Sequence, residues 1–233
     1  DARARNRGHG AALLEASEAW LRARACLGIL AGADRRHFFP GVPLDQDGRD
    51  EGLGAFLASR GYQAEALEHD LLGPALPGLD EAPAGLAWAR AEAGHREAGE
   101  AFFRKNFPGR WTAEYLDFLD SGRDPRDLIL LLEVASGRVL GFCRLCRGVD
   151  PWLQPGLYWR SLLEGRTGAL GPIGIDADQR GRGLGLALLR RGLQELGAHG
   201  ARQVVIDWTD QVGFYAPLGF RIWKTYRPCW KRL

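Results

Sequence analysis

At 233 residues the chain has room for two modest domains, each able to bury a core. Its 31 basic residues against 29 acidic ones leave a net charge of +2, so nothing in the balance compels a nucleic-acid or membrane partner. No stretch approaches the roughly 20 apolar residues of a membrane span and the charged start has no signal-peptide core, so a cytoplasmic protein is expected.

Residues 9–24 carry Leu13, Ala16, Trp20 and Ala23 at helix-like intervals, with Leu14 and Leu21 beside them, and predict an amphipathic helix. Cys26–Leu30 reads as the following strand, Gly52–Ser59 as a short helix and Gln63–Leu71 as a strand, with a turn-rich loop around Phe38–Asp45. From Leu72 to Pro83, three prolines and two glycines in twelve residues break the pattern. The expected division is a first domain at 1–74, a linker at 75–83 and a second domain at 84–233. The second domain opens with a strand over Gly85–Arg90, then helices over His95–Asn106 and Thr112–Leu119, then a hairpin of Arg126–Val134 and Arg138–Cys146. Trp152, Tyr158 and Trp159 crowd the segment Asp150–Leu163, where core or lid packing is expected. A strand at 170–175, a glycine-rich turn, a helix at 184–196, a strand at Gln203–Trp208, a short helix at 210–217 and a last strand from Phe220 complete the series.

No metal site is expected. Cys143 and Cys146 have the spacing of half a zinc knuckle, but in a strand residues three apart point to opposite faces, and no second pair exists. Cys26 and Cys229 stand apart, and the histidines at 9, 37, 69, 95 and 199 are scattered.

The glycine-rich turn is Arg180-Gly181-Arg182-Gly183-Leu184-Gly185, and it runs directly into Leu186-Ala187-Leu188-Leu189. Glycines let the backbone come close to a ligand, and a helix start offers unpaired N–H groups at the positive end of its dipole, which suits a pyrophosphate. Two arginines add forked donors. A Walker loop would need Gly-Lys-Ser/Thr here, and a dinucleotide fingerprint would need a small residue at Leu188, so neither reading holds.

The turn resembles the Arg/Gln-x-x-Gly-x-Gly/Ala pyrophosphate loop of the GNAT acyltransferases. Ile173-Gly174-Ile175-Asp176-Ala177 is similar to that family's fourth strand, with Ala177 where proline is usual. Gly213-Phe214-Tyr215-Ala216-Pro217-Leu218-Gly219-Phe220 is similar to its second block. The resemblance implies an α/β GNAT acyltransferase fold: a mixed, mostly antiparallel sheet with a splayed parallel strand pair, flanked by helices.

The loop occurs twice. Residues 5–14 align with 180–189 at an offset of 175, with seven identities in ten positions, Gly8 and Gly10 matching Gly183 and Gly185. Phe56–Tyr62 aligns with Phe214–Phe220 at an offset of 158. Two GNAT-like units in tandem are therefore expected, the first incomplete and degenerate. Only four residues precede Arg5, so upstream sequence is expected to be missing, and Leu57 stands where the second copy has Tyr215.

Acyl transfer requires a held thioester carbonyl, a neutral amine, stabilisation of the oxyanion and protonation of the departing thiolate. The resemblance assigns the acetyl-CoA contacts to Ile173, Gly174 and Ile175 on the strand and to Arg180, Gly181, Arg182, Gly183, Leu184 and Gly185 on the loop. Trp208 stands where many relatives have asparagine, which leaves Thr209 as the replacement contact. Tyr215 matches the tyrosine that protonates the thiolate. Asp176, Asp178, Asp207 and Asp210 are near the motifs, and none is singled out as the base. The implied activity is acetyl-CoA-dependent N-acetyl transfer to a small-molecule or peptide amine. The rivals are a non-catalytic coenzyme A-binding or protein-interaction module and a different nucleotide-binding protein. The sequence points to no oligomeric state. The acceptor depends on helices and loops before the fourth strand, where Phe102, Phe103, Phe107 and Trp111 fit either core or acceptor pocket.

Overall fold

The apolar spacing of residues 9–24 folds as α1 (His9–Arg22), followed by β1 (Gly28–Ala31), β2 (Val42–Leu44), α2 (Leu53–Ala58), β3 (Gln63–Ala64) and β4 (Glu68–Pro74). Then come β5 (Leu86–Arg90), α3 (Arg96–Asn106), α4 (Arg110–Asp120), β6 (Leu128–Glu133), β7 (Val139–Cys146) and β8 (Thr167–Ile175). The chain continues with α5 (Leu184–Ala198), β9 (Gln203–Thr209), α6 (Val212–Tyr215), β10 (Arg221–Arg227) and β11 (Cys229–Arg232). The computed structural model describes residues 7–32, 39–148 and 156–233, so Arg5, Asn6, Phe38 and Trp152 lie outside the described residues.

Three strands differ from the sequence expectation: the single strand expected over Gln63–Leu71 is broken at 65–67 into β3 and β4, which join different sheets, and β4 runs on to Pro74. The turn-rich stretch around Phe38–Asp45 carries β2, whose Val42–Leu44 pairs antiparallel with Thr225–Arg227. Pro43 disguises it, yet β2 ends its sheet, where a residue without an N–H is tolerated. The strand expected from Phe220 onward is broken at Pro228 into β10 and β11.

The chain divides into two compact units, Asp1–His69 with Lys224–Leu233, and Asp70–Trp223. In the first, β11 lies between β1 and β3, antiparallel to both, over a small core of Val42, Leu57, Tyr62 and Cys229. Glu18 of α1 is buried, and its carboxylate accepts hydrogen bonds from Lys231 Nζ (2.8 Å), Tyr62 Oη (3.1 Å) and Arg22 Nη2 (3.0 Å). Burial would raise this carboxyl, but the bonds from Lys231, Tyr62 and Arg22 hold it below 4.5. A depressed carboxyl contributes stability that is complete above its unfolded value of 4.5 and is lost as pH falls through its lower folded value. Lys231→Met leaves the carboxylate short of its cation and is expected to cost roughly 3 kcal/mol, read from the urea midpoint at pH 7. An unchanged midpoint would refute this.

In the second unit the strands run β4-β9-β8-β7-β6-β5, with β10 next to β4. β5 to β8 are antiparallel neighbours, and β8 and β9 are parallel. Alternation sorts the side chains: Ile129, Leu131, Cys143 and Leu145 join Leu188, Leu189 and Leu193 of α5, while Leu128, Leu130 and Phe142 join Phe102, Phe103, Tyr115 and Phe118 of α3 and α4. The sheet is thus covered by α5 on one face and by α3 and α4 on the other. Residues 75–83 lie along α5: Leu76 N donates to Leu193 O (3.2 Å) and Asp80 N to Gln194 Oε1 (3.0 Å). Among the described residues no helix is long and apolar enough to cross a membrane.

Candidate active site

The glycine loop is held from below. Ala177–Gln179 form a single 3-10 turn whose cap, Asp176, accepts from Asp178 N at 3.1 Å. Lys105 Nζ, at the end of α3, bonds Asp176 (2.9 Å) and Asp178 (2.6 Å), and Asn106 Oδ1 accepts from Ala177 N (2.9 Å). Asp176 is buried, which would raise its carboxyl, yet the Lys105 bond and the Asp178 amide hold it below its usual value. It is a strut for the turn, and a poor base.

Above this strut, Gly181 (φ 76°) and Gly183 (φ 75°) are left-handed, and Gly183 caps α5 with no side chain bonding the first-turn amides. A Cβ built at Gly181 or Gly183 would meet nothing within 4 Å, so the backbone fronts open space. Gly185 differs: its Cβ would lie 3.3 Å from the Phe214 ring, so its smallness serves packing. Leu184 sends its side chain into the core, leaving only its backbone N–H for a ligand. Arg180 and Arg182 are exposed, and Arg182 donates to Gln179.

β8 and β9 pair only over Thr167–Ala169 and Gln203–Val205, although β8 runs on to Ile175 and β9 to Thr209. The two strands therefore part toward the glycine loop. Asp176 N donates to Leu140 O of β7 (2.8 Å), which fixes the alternation: Gly174 faces β7 with its polar groups, and those of Ile173 and Ile175 face the parting. A Cβ on Gly174 would collide with Phe107 at 2.5 Å, a packing reason for that glycine. On the other side of the gap, Trp208 takes a left-handed φ of 49°, and its N–H donates to Asp70 Oδ1 (3.0 Å).

Tyr215 is buried at the end of α6, edge-on to Phe214 at 4.8 Å and tilted against Phe220 at 5.9 Å. Burial pushes its phenol above its ordinary 10, and the Asp207 carboxylate adds to this, while a hydrogen bond with Thr209 opposes it. Cys143 is fully buried and its thiol is pushed up as well, so it adds no charge near pH 7. Tyr215 and Thr209 thus meet at the β9 side of the parting.

A cleft opens on the opposite face of the sheet, lined by Phe103, Trp111 and Glu114 of α3 and α4, Phe142 and Arg144 of β7, and Pro172 of β8. Of the aromatics expected in a pocket, Phe103 and Trp111 line it; Phe102 and Phe107 pack behind them, with ring centroids 5.8 Å apart. Sequence reasoning overlooked Lys105, Asn106, Asp70 and Arg144. One signal was available for Lys105, a lone lysine in the middle of a chain whose other lysines are Lys224 and Lys231. Among the described residues no group of three or more His, Cys, Asp or Glu could hold a metal ion.

Residues 92–220 match the model of the Acetyltransferase (GNAT) family. The chain belongs to this family. A mycothiol acetyltransferase of Thermobifida fusca (strain YX) is 26% identical over 204 residues, covering 85% of this chain and 58% of that protein. A solved structure titled as a GCN5-related glucosamine N-acetyltransferase region in a fungal multi-domain GH3 beta-N-acetylglucosaminidase superposes with a TM-score of 0.85 at 26% identity, over 97% of this chain and 28% of that one. A tandem GNAT protein from the clavulanic acid biosynthesis pathway shares the fold, with a TM-score of 0.69 at 16% identity over 98% of this chain and 71% of that one. The chain thus spans little more than half the length of the Thermobifida relative and about a quarter of the fungal one.

Proposed function

We propose that the second unit is an acetyl-CoA-dependent N-acetyltransferase that acts by direct attack of an acceptor amine on the thioester. The observation that carries this is the parting of β8 from β9 beyond Ala169 and Val205, with an open, left-handed glycine loop at its end. When bound, acetyl-CoA supplies an activated acetyl carbonyl and a thiolate leaving group. The amides and arginines of Arg180, Gly181, Arg182, Gly183, Leu184 and Gly185 hold the pyrophosphate. Backbone groups of Ile173 and Ile175 line the slot and hold the acyl arm, with Gly174 keeping β8 against β7, and Thr209 orients Tyr215. The Tyr215 hydroxyl donates its proton to the leaving sulfur. A preorganised N–H on the carbonyl oxygen contributes roughly 3 kcal/mol at comparable sites.

The acceptor is a small molecule or peptide bearing an amine; the names of the relatives make glucosamine and its derivatives the first ones to try. A cytoplasmic setting fits four unlinked cysteines. The test is free-thiol release from acetyl-CoA with an amine panel. Binding of coenzyme A without release by any amine would favour a non-catalytic coenzyme A-binding module.

We further infer that the chain is a tandem, with a degenerate copy in 1–74, a connector at 75–83 and the catalytic copy in 84–233. Matching geometry supports this. α1 and α5 begin 175 positions apart, each behind a left-handed glycine, Gly8 (φ 80°) and Gly183 (φ 75°). A Cβ built at Gly10 would meet Phe56 at 3.5 Å as one at Gly185 would meet Phe214 at 3.3 Å, and those phenylalanines are themselves equivalent. β1 and β9 start at 28 and 203, the same offset. Each unit sets a strand from elsewhere in the chain between its equivalent pair: β11 between β1 and β3, β4 between β9 and β10. Leu57, the counterpart of Tyr215, is buried and has no proton to give. One coenzyme A per chain is expected by calorimetry, unaltered by Gly8→Val in a protein that still folds. Two equivalent sites would contradict it.

A further inference from the structure

Arg144 is a cation in an apolar strand. It follows Phe142 by two positions on β7 and so shares its face, among the aromatic rings of α3 and α4. Two arginines near it are engaged: Arg147 holds Asp127 (2.6 Å) and Asp124 (2.7 Å), and Arg110 holds Glu114 (2.7 Å). Among the described residues the Arg144 guanidinium makes no hydrogen bond or ion pair; Glu114 and Asp127 act on it through space, and Arg123 repels it. Burial weighs against its charged form, yet a guanidinium does not give up its proton. A half-buried charge with no counter-ion among the described residues costs free energy that an entering anion would recover.

We infer that Arg144 anchors an anionic group, a carboxylate or a phosphate, carried by the acceptor amine. The inference rests on the acetyltransferase reading and narrows its substrate class. Pro172 borders the same cleft and directly precedes Ile173, whose backbone faces the parting of β8 and β9, so a molecule seated on Arg144 has a route to the acyl slot. Glu114 on the facing wall disfavours a second anion and suits the ammonium end of the same molecule. The planar fork of arginine fits both oxyanions in two-pronged fashion.

The test compares acceptors that differ only in the anion: glucosamine against glucosamine 6-phosphate, and phenylalanine amide against phenylalanine, by thiol release with wild type, Arg144→Gln and Arg144→Lys. A charge-assisted bond predicts that the anionic member of one pair has the higher kcat/KM, by roughly 10- to 100-fold and mainly through KM. The pair that shows it tells phosphate from carboxylate. Arg144→Gln should abolish that preference; Arg144→Lys should keep part of it. Equal use of both members in both pairs, or a preference that survives Arg144→Gln, overturns the inference. If no amine releases thiol, the acetyltransferase reading fails first, and calorimetry with glucosamine 6-phosphate and phenylalanine then decides the anion site. Binding that is lost in Arg144→Gln sustains it, and absence of binding to wild type ends it. Thermal midpoints report folding, and Arg144→Lys serves if Arg144→Gln does not fold.

Discussion

Tyr215→Phe is expected to lower turnover by roughly 10² or more while coenzyme A affinity changes little. The ring stays between Phe214 and Phe220, so the slot keeps its wall and only the hydroxyl is lost. Two properties suit that hydroxyl to acid work. It sits beside the Thr209 side chain, and burial holds its pKa above the ordinary 10, so it keeps its proton at neutral and mildly alkaline pH. The sign matters: a raised phenol is a donor throughout that range, and a fall in turnover on the alkaline side below pH 9 must come from another group. Coenzyme A binding, measured separately, tells a lost acid from a damaged slot. Full turnover in the variant, with chemistry shown to be rate-limiting, would remove Tyr215 from the mechanism.

What could be read from the sequence follows the range of the forces involved. The helix expected from residue 184 starts at Leu184, because an apolar 3.6-residue period behind a glycine is a local signal. The hairpin of β6 and β7 was legible for the same reason, its alternation pointing Cys143 and Phe142 to opposite cores. β2 was not, because Pro43 argues against a strand and only the distant Thr225–Arg227 provides a partner. The clamp of Lys105 on Asp176 joins residues 71 positions apart and depends on where α3 ends relative to β8. The lack of a counter-ion for Arg144 among the described residues is the least legible feature. It is defined by the carboxylates that α4 and the turn before β6 give to other arginines.

On the proposed tandem reading, the two copies differ in what replaces the site. Glu18 and Tyr62 of the first unit occupy the positions of Leu193 and Phe220, which are core residues of the second. An ion cluster fills what is elsewhere an apolar contact. Such a substitution is tolerated because Lys231 and Arg22 satisfy the carboxylate, and it fixes geometry without adding much net stability. In the second unit the same helix has kept an apolar seat for the sheet, which holds Gly183 and Gly185 at the mouth of the slot.

Gly183→Val is expected to weaken coenzyme A binding by tenfold or more, for two separable reasons. At φ 75° a β-branched residue is strained, and relaxing that strain turns the first-turn amides of α5 away from the pyrophosphate. The second reason is occupancy. Among the described residues beyond its chain neighbours none comes within 4 Å of a Cβ at this position, so the added methyls would project into the open space before the loop, where the proposed pyrophosphate site lies. Gly183→Ala shares the strain but adds a single carbon, and it should fall between wild type and Gly183→Val. A chain that melts at the wild-type temperature and binds coenzyme A with unchanged affinity in calorimetry, despite valine at 183, would show that the pyrophosphate does not rest on this loop.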